Sequence, residues 1–283
     1  MGLPAATGLL ASALLAGCDG ADRVTGDQAS RPTVGACYLN SQSRTEPPLP
    51  CEQEHLAETV HVGTFGEAAA DADNPPASGT APLRDAYATC DPAASRYVGS
   101  EWHGGRLAMT VVTPSASGWA AGERWYRCDL SEIDSLNAPV PQKRTGSLRG
   151  ALTSTPSLRL GCFDPVLGAD DQLVSLSPVS CDGPHHSEFA GIWPAPESPS
   201  GTADAAGEPD FEENTVLNGC APPVARFVGV SEDEIRVRIG LLWWLPSGPA
   251  WAAGDRAVLC FLWSEKPLDR SLRGAGMPGL PES

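Results

Sequence analysis

Two histidine–carboxylate pairs recur at one spacing in the two halves of this chain, His55 with Glu58 and His185 with Glu188. Each follows a cysteine, as Cys51-x3-His55-x2-Glu58 and Cys181-x3-His185-x2-Glu188. An imidazole and a carboxylate three residues apart can bind a divalent metal, with the cysteine as a third ligand, or act as an acid–base pair. The opposing reading has the cysteines oxidised and unable to ligate, the histidine capping a turn and pairing with the glutamate. This second reading is preferred, because zinc takes three or four ligands and no further His or Cys group recurs in both halves. His61, His103 and His186 have no counterparts. No metal and no cofactor are therefore expected.

Arg124 and Arg256 follow an acidic residue in matching Gly-[Glu/Asp]-Arg turns. Such an arginine can clamp a carboxylate or phosphate, but more often pairs within its own domain. Trp119 and Trp251 suit core or turn packing. The adjacent pair Trp243-Trp244 has no counterpart in the first half, and one of two neighbours on a strand must face outward. That pair is the candidate contact for a partner or a glycan. The sequence contains no Gly-x-Ser-x-Gly, no Ser-x-x-Lys and no phosphate-binding glycine loop, so the expectation is a protein that is not an enzyme.

The residues around these groups show why they come in pairs. Eight of the nine cysteines form two sets, Cys37, Cys51, Cys90, Cys128 and Cys162, Cys181, Cys220, Cys260. Cys90-Asp-Pro92-x3-Arg96-Tyr97-Val98-Gly99 matches Cys220-Ala-Pro222-x3-Arg226-Phe227-Val228-Gly229. Trp119-Ala-Ala-Gly122-Glu123-Arg124-x3-Cys128 matches Trp251-Ala-Ala-Gly254-Asp255-Arg256-x3-Cys260, and each copy closes on Ser-Leu-Arg-Gly-Ala, at 147–151 and 271–275. The chain is a tandem duplication, with copies at 34–153 and 154–276 and a tail at 277–283. An even number of cysteines per copy fits an oxidising compartment outside the cytoplasm. Of the three possible pairings, the nested one is expected: Cys37–Cys128 with Cys51–Cys90, and Cys162–Cys260 with Cys181–Cys220. It assumes that a returning helix brings the third cysteine beside the second, and that the first and last strands are sheet neighbours.

The elements that would carry these residues are short. In the first copy, 34–39, 58–65, 106–113 and 123–130 read as strands, and in the second copy 235–245 and 256–263 do. Thr80 can cap and Pro82 can start a helix bearing Leu83, Ala86, Tyr87 and Cys90 on one face. Pro92 and Pro222 are expected to bend that segment into two short helices. The fold class is α+β: two tandem copies of a disulfide-stapled, mostly antiparallel sheet with a helical segment on one face.

Residues 1–17 read as an export signal, with a short apolar run at 9–16 ending in Leu15-Ala16-Gly17-Cys18. That ending resembles a bacterial lipobox, which implies lipidation at Cys18, a flexible tether over 18–33 and anchoring at the outer face of the cell membrane. The net charge of −16 opposes nucleic-acid binding.

Taken together, the Cys-x3-His-x2-Glu element, the Trp-x2-Gly-[Asp/Glu]-Arg-x3-Cys element and the terminal Ser-Leu-Arg-Gly resemble the septum formation domain. The likeness covers both copies. It implies an exported or membrane-anchored envelope protein with a role at the division septum, and it brings no catalytic residues. The expected protein is a lipid-anchored, non-enzymatic binding or structural component whose partner is an envelope protein or wall glycan. The alternative is a cell-wall enzyme or metal-binding protein that uses the duplicated His/Glu motif.

Overall fold

Each copy builds one antiparallel sheet and lays one long helix across it, and the His/Glu and Ser-Leu-Arg-Gly motifs fall where helix, sheet and closing segment meet. A computed structural model describes residues 31–169, 173–197 and 209–280, together with Gly2. The signal over 1–17 (Gly2 apart), Cys18, the tether up to residue 30, and 281–283 of the tail lie outside the described residues. Among the described residues no helix is long and apolar enough to cross a membrane.

In the first copy, β1 (Cys37–Tyr38) is shorter than the apolar run suggests, because Gly35 takes φ +86° and the ladder begins only after it. There follow β2 (Ala57–Thr64), α1 (Glu67–Ala70), α2 (Ala81–Val98), a 3₁₀ turn (Trp102–Gly104), β3 (Leu107–Val112), α3 (Ala116–Ala120) and β4 (Trp125–Glu132). The strand order is β1-β2-β4-β3, antiparallel throughout. The connection to the second copy holds α4 (Ala151–Ser154) and a 3₁₀ turn (Pro156–Leu158).

The second copy contains β5 (Cys162–Leu167), β6 (Leu173–Val179), β7 (His185–Pro194), α5 (Glu213–Val228), α6 (Glu232–Arg238), β8 (Gly240–Trp244), α7 (Gly248–Ala253) and β9 (Ala257–Leu268). Its order is β6-β5-β7-β9-β8. Strand β6 has no equivalent in the first copy, where only a single bridge, Cys37 to Leu49, stands in its place. Both copies lie in one compact unit that begins at Arg31.

Three expectations about elements need correction. The long helices do not break at their prolines: α2 runs through Pro92, and α5 through Pro222 and Pro223. A proline inside a helix costs about 3 kcal/mol. Here the buried stripe continues past it, with Leu83, Ala86, Tyr87 and Cys90 before Pro92 and Ala94, Tyr97 and Val98 after it. Burial of each larger apolar side chain offsets about 1.5–3 kcal/mol, enough to hold both halves in line. Thr80 stands at the start of α2 but does not cap it, since its hydroxyl donates to the Ala77 carbonyl at 2.7 Å. The strand read over 235–245 begins only at Gly240. Ser231 and Glu234 form a reciprocal capping box that starts α6, and Ile235 is the buried residue of that helix.

The nested disulfide scheme is overturned. The pairs are sequential: Cys37–Cys51, Cys90–Cys128, Cys162–Cys181 and Cys220–Cys260. The reason is the strand order. Strand β2 lies between β1 and β4, which puts Cys37 and Cys128 two strands, roughly 9–10 Å, apart. A disulfide needs Cα atoms within about 7 Å. Strand β7 separates Cys162 from Cys260 in the same way. Cys128 and Cys260 instead face the long helices and pin them to the sheets through Cys90 and Cys220.

The sheets differ on their other face. In β9, Val258, Cys260 and Leu262 face α5, while Leu259 and Phe261 join Leu160, Phe163 and Leu176 in a second cluster. This explains why β9 reads as a continuous apolar run. In β4 the corresponding outer face carries a buried ion pair. Arg127 Nε donates to Asp129 Oδ2 at 2.8 Å, Thr59 donates to Asp129 Oδ1 at 2.7 Å, and the guanidinium lies 3.9 Å from the Tyr38 ring centroid.

Candidate functional site

The His/Glu motif and the distant Ser-Leu-Arg-Gly motif are two halves of one latch. Glu58, on β2, is 1% exposed. Its carboxylate accepts from the Ser147 hydroxyl at 2.6 Å, from the Leu148 backbone N–H at 2.5 Å and from the Tyr97 hydroxyl. Burial pushes the Tyr97 phenol up to about 12, and its hydrogen bond to Glu58 adds to the rise, so it remains a donor at neutral pH. Leu148 is fully buried in the core, Arg149 stacks 4.3 Å from the Tyr97 ring centroid, and Gly150 takes φ +66° as its N–H reaches the Tyr97 carbonyl at 2.9 Å. Each residue of the closing motif therefore has a task in holding the chain end across helix and sheet.

The second copy repeats this arrangement with one change. Glu188 accepts from the Ser271 hydroxyl at 2.5 Å and the Leu272 N–H at 2.7 Å, and Arg273 stacks on Phe227 at 4.4 Å. Phe227 replaces Tyr97 and has no hydroxyl to donate; Glu188 Oε1 instead lies 3.3 Å from His185 Nε2.

Both histidines are wholly buried. His55 Nδ1 lies 2.9 Å from the Gln53 carbonyl and His185 Nδ1 lies 2.8 Å from the Gly183 carbonyl. A carbonyl can only accept, so Nδ1 carries the proton and holds a turn closed. In both residues Nε2 has no hydrogen-bond partner among the described residues. One ligand atom each from Cys37, Cys51, His55 and Glu58 lie within 4.8 Å of one another, as do those of Cys162, His185 and Glu188.

Arg124 and Arg256 hold turns. Arg124 Nη1 donates to the Trp119 carbonyl at 2.7 Å and its Nε to the Ala70 carbonyl at 2.7 Å, while its guanidinium stacks 4.2 Å from the Trp119 ring. Arg256 Nη1 donates to the Trp251 carbonyl at 2.7 Å, its Nη2 pairs with Glu197 at 2.9 Å, and it stacks 3.8 Å from Trp251. Neither side of the Trp243-Trp244 pair is fully exposed. The two rings do diverge, Trp243 towards the α5 core and Trp244 towards the second cluster. Both rings remain half-buried, and Leu136 of the first copy packs against that second cluster as well.

Sequence reasoning misses the role of a buried ion pair between the copies. His103, in the 3₁₀ turn, is 8% exposed. Its Nδ1 lies 2.8 Å from Glu101 Oε1 and its Nε2 lies 3.3 Å from Asp255 Oδ1 in the second copy. Burial alone depresses its basicity, but the hydrogen bonds to Asp255 and Glu101 more than reverse this and raise it to about 9. His103 is thus an imidazolium at neutral pH, donating from both nitrogens. The only hint in the sequence is that Asp255, the counterpart of Glu123, belongs to a duplicated motif; His103 itself is unduplicated.

Beside this ion pair the two copies enclose a cleft of about 600 Å³. All residues from Leu107 to Thr113 border it in unbroken succession. Side chains of a strand alternate between faces, so it is the edge of β3 that borders the cleft. That edge ends the first sheet. The facing wall comes from the second copy, with Trp244, Leu245, Pro246, Ser247 and Pro249.

No curated protein and no solved structure matches the chain. The family model described as septum formation matches residues 34–260, which takes in the first sheet, all four disulfides and both His/Glu pairs, and on that match the chain belongs to the septum formation family.

Proposed function

We propose that this protein is a lipid-anchored, extracytoplasmic, non-enzymatic component of the cell envelope that works at the division septum by holding a partner in the cleft between its two copies. The family match supports the link to septum formation. The observation that carries the binding role is the edge of β3, unpaired among the described residues, which borders a cleft walled by Trp244 and prolines. A free strand edge offers a row of backbone donors and acceptors to an extended segment, and apolar walls receive its alternate side chains. The partner is an extended segment of another envelope protein. The non-enzymatic reading rests on the duplicated polar groups, since Glu58, Glu188, Arg124 and Arg256 are all engaged within their own fold.

In this account Cys18 fixes the location and the cleft makes the contact. The test is a tagged full-length protein in dividing cells, with Thr110→Arg filling the cleft from β3 and Trp244→Ala removing the facing wall. Septal enrichment lost in both variants, with membrane association intact, is the expected result. Septal enrichment undiminished in both rejects the cleft. Enrichment abolished by digestion of the wall glycan, and not by the variants, assigns the partner to glycan.

A further inference from the structure

We propose that the Cys37–Cys51 pair, once reduced, forms with His55 and Glu58 a zinc site in the first copy. The inference does not depend on the binding role of the cleft. It starts from His55 Nε2. Buried polar atoms are nearly always partnered, yet this one has no hydrogen-bond partner among the described residues, whereas His185 Nε2 in the second copy lies 3.3 Å from Glu188 Oε1. In both, the Nδ1 proton is committed to a backbone carbonyl. That outer hydrogen bond is the arrangement that fixes the tautomer and ring of a metal-bound histidine and leaves Nε2 as the donor atom.

The atoms around His55 complete the set. Ligand atoms of Cys37, Cys51, His55 and Glu58 lie within 4.8 Å of one another. The Glu58 carboxylate offers about four lone-pair positions, of which three take protons from Tyr97, Ser147 and Leu148. Two thiolates, one imidazole and one carboxylate oxygen form a tetrahedral donor set suited to Zn²⁺. In the second copy Cys181 falls outside the corresponding group, so the complete set belongs to the first.

The disulfide is the barrier, and like Cys162–Cys181 it is more open to a reductant than the two helix-to-sheet disulfides. Cys51 is half-buried, whereas Cys90 and Cys128 are both 0% exposed. A dithiol reductant reaches Cys51 before the cysteines beneath the helices. Exchange converts the disulfide to two thiols as the dithiol closes to its own disulfide, two electrons and two protons passing to Cys37 and Cys51. Zn²⁺ binding then releases two protons from the thiols. Thiolates on one zinc ion sit about 3.8 Å apart for a Zn–S bond of about 2.3 Å, so the sulfurs separate as the ion enters.

The experiment uses the full chain in detergent, reduced anaerobically by a dithiol, with Zn²⁺ as the probe. Alkylation of Cys37 and Cys51 is followed by peptide mass mapping with and without Zn²⁺. The expected result is at least tenfold slower alkylation of both with Zn²⁺, reversed by a chelator and lost in His55→Ala. Equal alkylation with and without Zn²⁺ overturns the site, and this comparison needs no variant. Protection that persists in a folded His55→Ala also overturns it. The oxidised protein is expected to retain no zinc through gel filtration, and stoichiometric retention by it contradicts the requirement for reduction.

Discussion

Glu58→Gln is the sharpest probe of the latch. The substitution preserves size but replaces one carboxylate oxygen with an NH₂ group. The carboxylate accepts three hydrogen bonds, one from the Leu148 backbone N–H at 2.5 Å. An amide has one acceptor oxygen. Whichever way it turns, its NH₂ faces either the Leu148 N–H or the Tyr97 and Ser147 hydroxyls. One buried donor left without an acceptor costs about 1–3 kcal/mol, and the remaining bonds lose their charge assistance. The expected loss is about 2–4 kcal/mol. For a protein of this size that lowers Tm by roughly 4–16 °C, at about 2–4 °C per kcal/mol. Urea and thermal unfolding, followed by tryptophan fluorescence, read the change. Ser147→Ala, which removes one of the three bonds, should cost about 1 kcal/mol. A Glu58→Gln protein within about 0.5 kcal/mol of wild type would refute the reasoning, because that is the range of surface substitutions that touch nothing.

Further outcomes follow from the same structure. His103 has a folded-state pKa of about 9, above its ordinary 6.5. Its ion pairs therefore contribute fully below about pH 6.5, and their contribution is lost as pH rises through 9. Each tenfold gain in proton affinity corresponds to about 1.4 kcal/mol, which makes the ion pairs worth roughly 3 kcal/mol. Urea melts should therefore show lower stability at pH 9.5 than at 6.5, and His103→Gln should flatten the difference. Non-reducing peptide mapping should return Cys37–Cys51 and Cys90–Cys128, and a Cys37–Cys128 peptide would contradict the strand order. Asp129→Ala leaves the buried Arg127 guanidinium without its carboxylate and should cost about 3–5 kcal/mol by chemical denaturation; a loss under about 1 kcal/mol would show that water enters beneath Tyr38.

What was legible in the sequence was what duplication marks. The repeated cysteines, His/Glu, Trp/Arg and Ser-Leu-Arg-Gly motifs pointed to two α+β copies and to the family, because each motif serves the same local packing twice. Pairing among those motifs was not legible. Nothing in the spacing of Cys37 and Cys128 shows that β2 enters between their strands, and nothing near Glu58 names Ser147, 89 residues away, as its donor. The prolines misled because local propensity is weaker than the buried stripe that continues beyond them. That Trp244 borders a cleft shared with the first copy was not legible, because the other wall comes from β3. The role of His103, a histidine without a counterpart, was not legible for a related reason: a contact between copies need not be duplicated within them.

The most direct test of the central claim is the distribution of a tagged full-length protein in dividing cells, recorded together with its Cys18→Ser variant. The account predicts enrichment at the septum for the wild-type chain and loss of membrane association for the variant. Uniform distribution of the wild-type chain around the envelope, with no excess at septa, would contradict it.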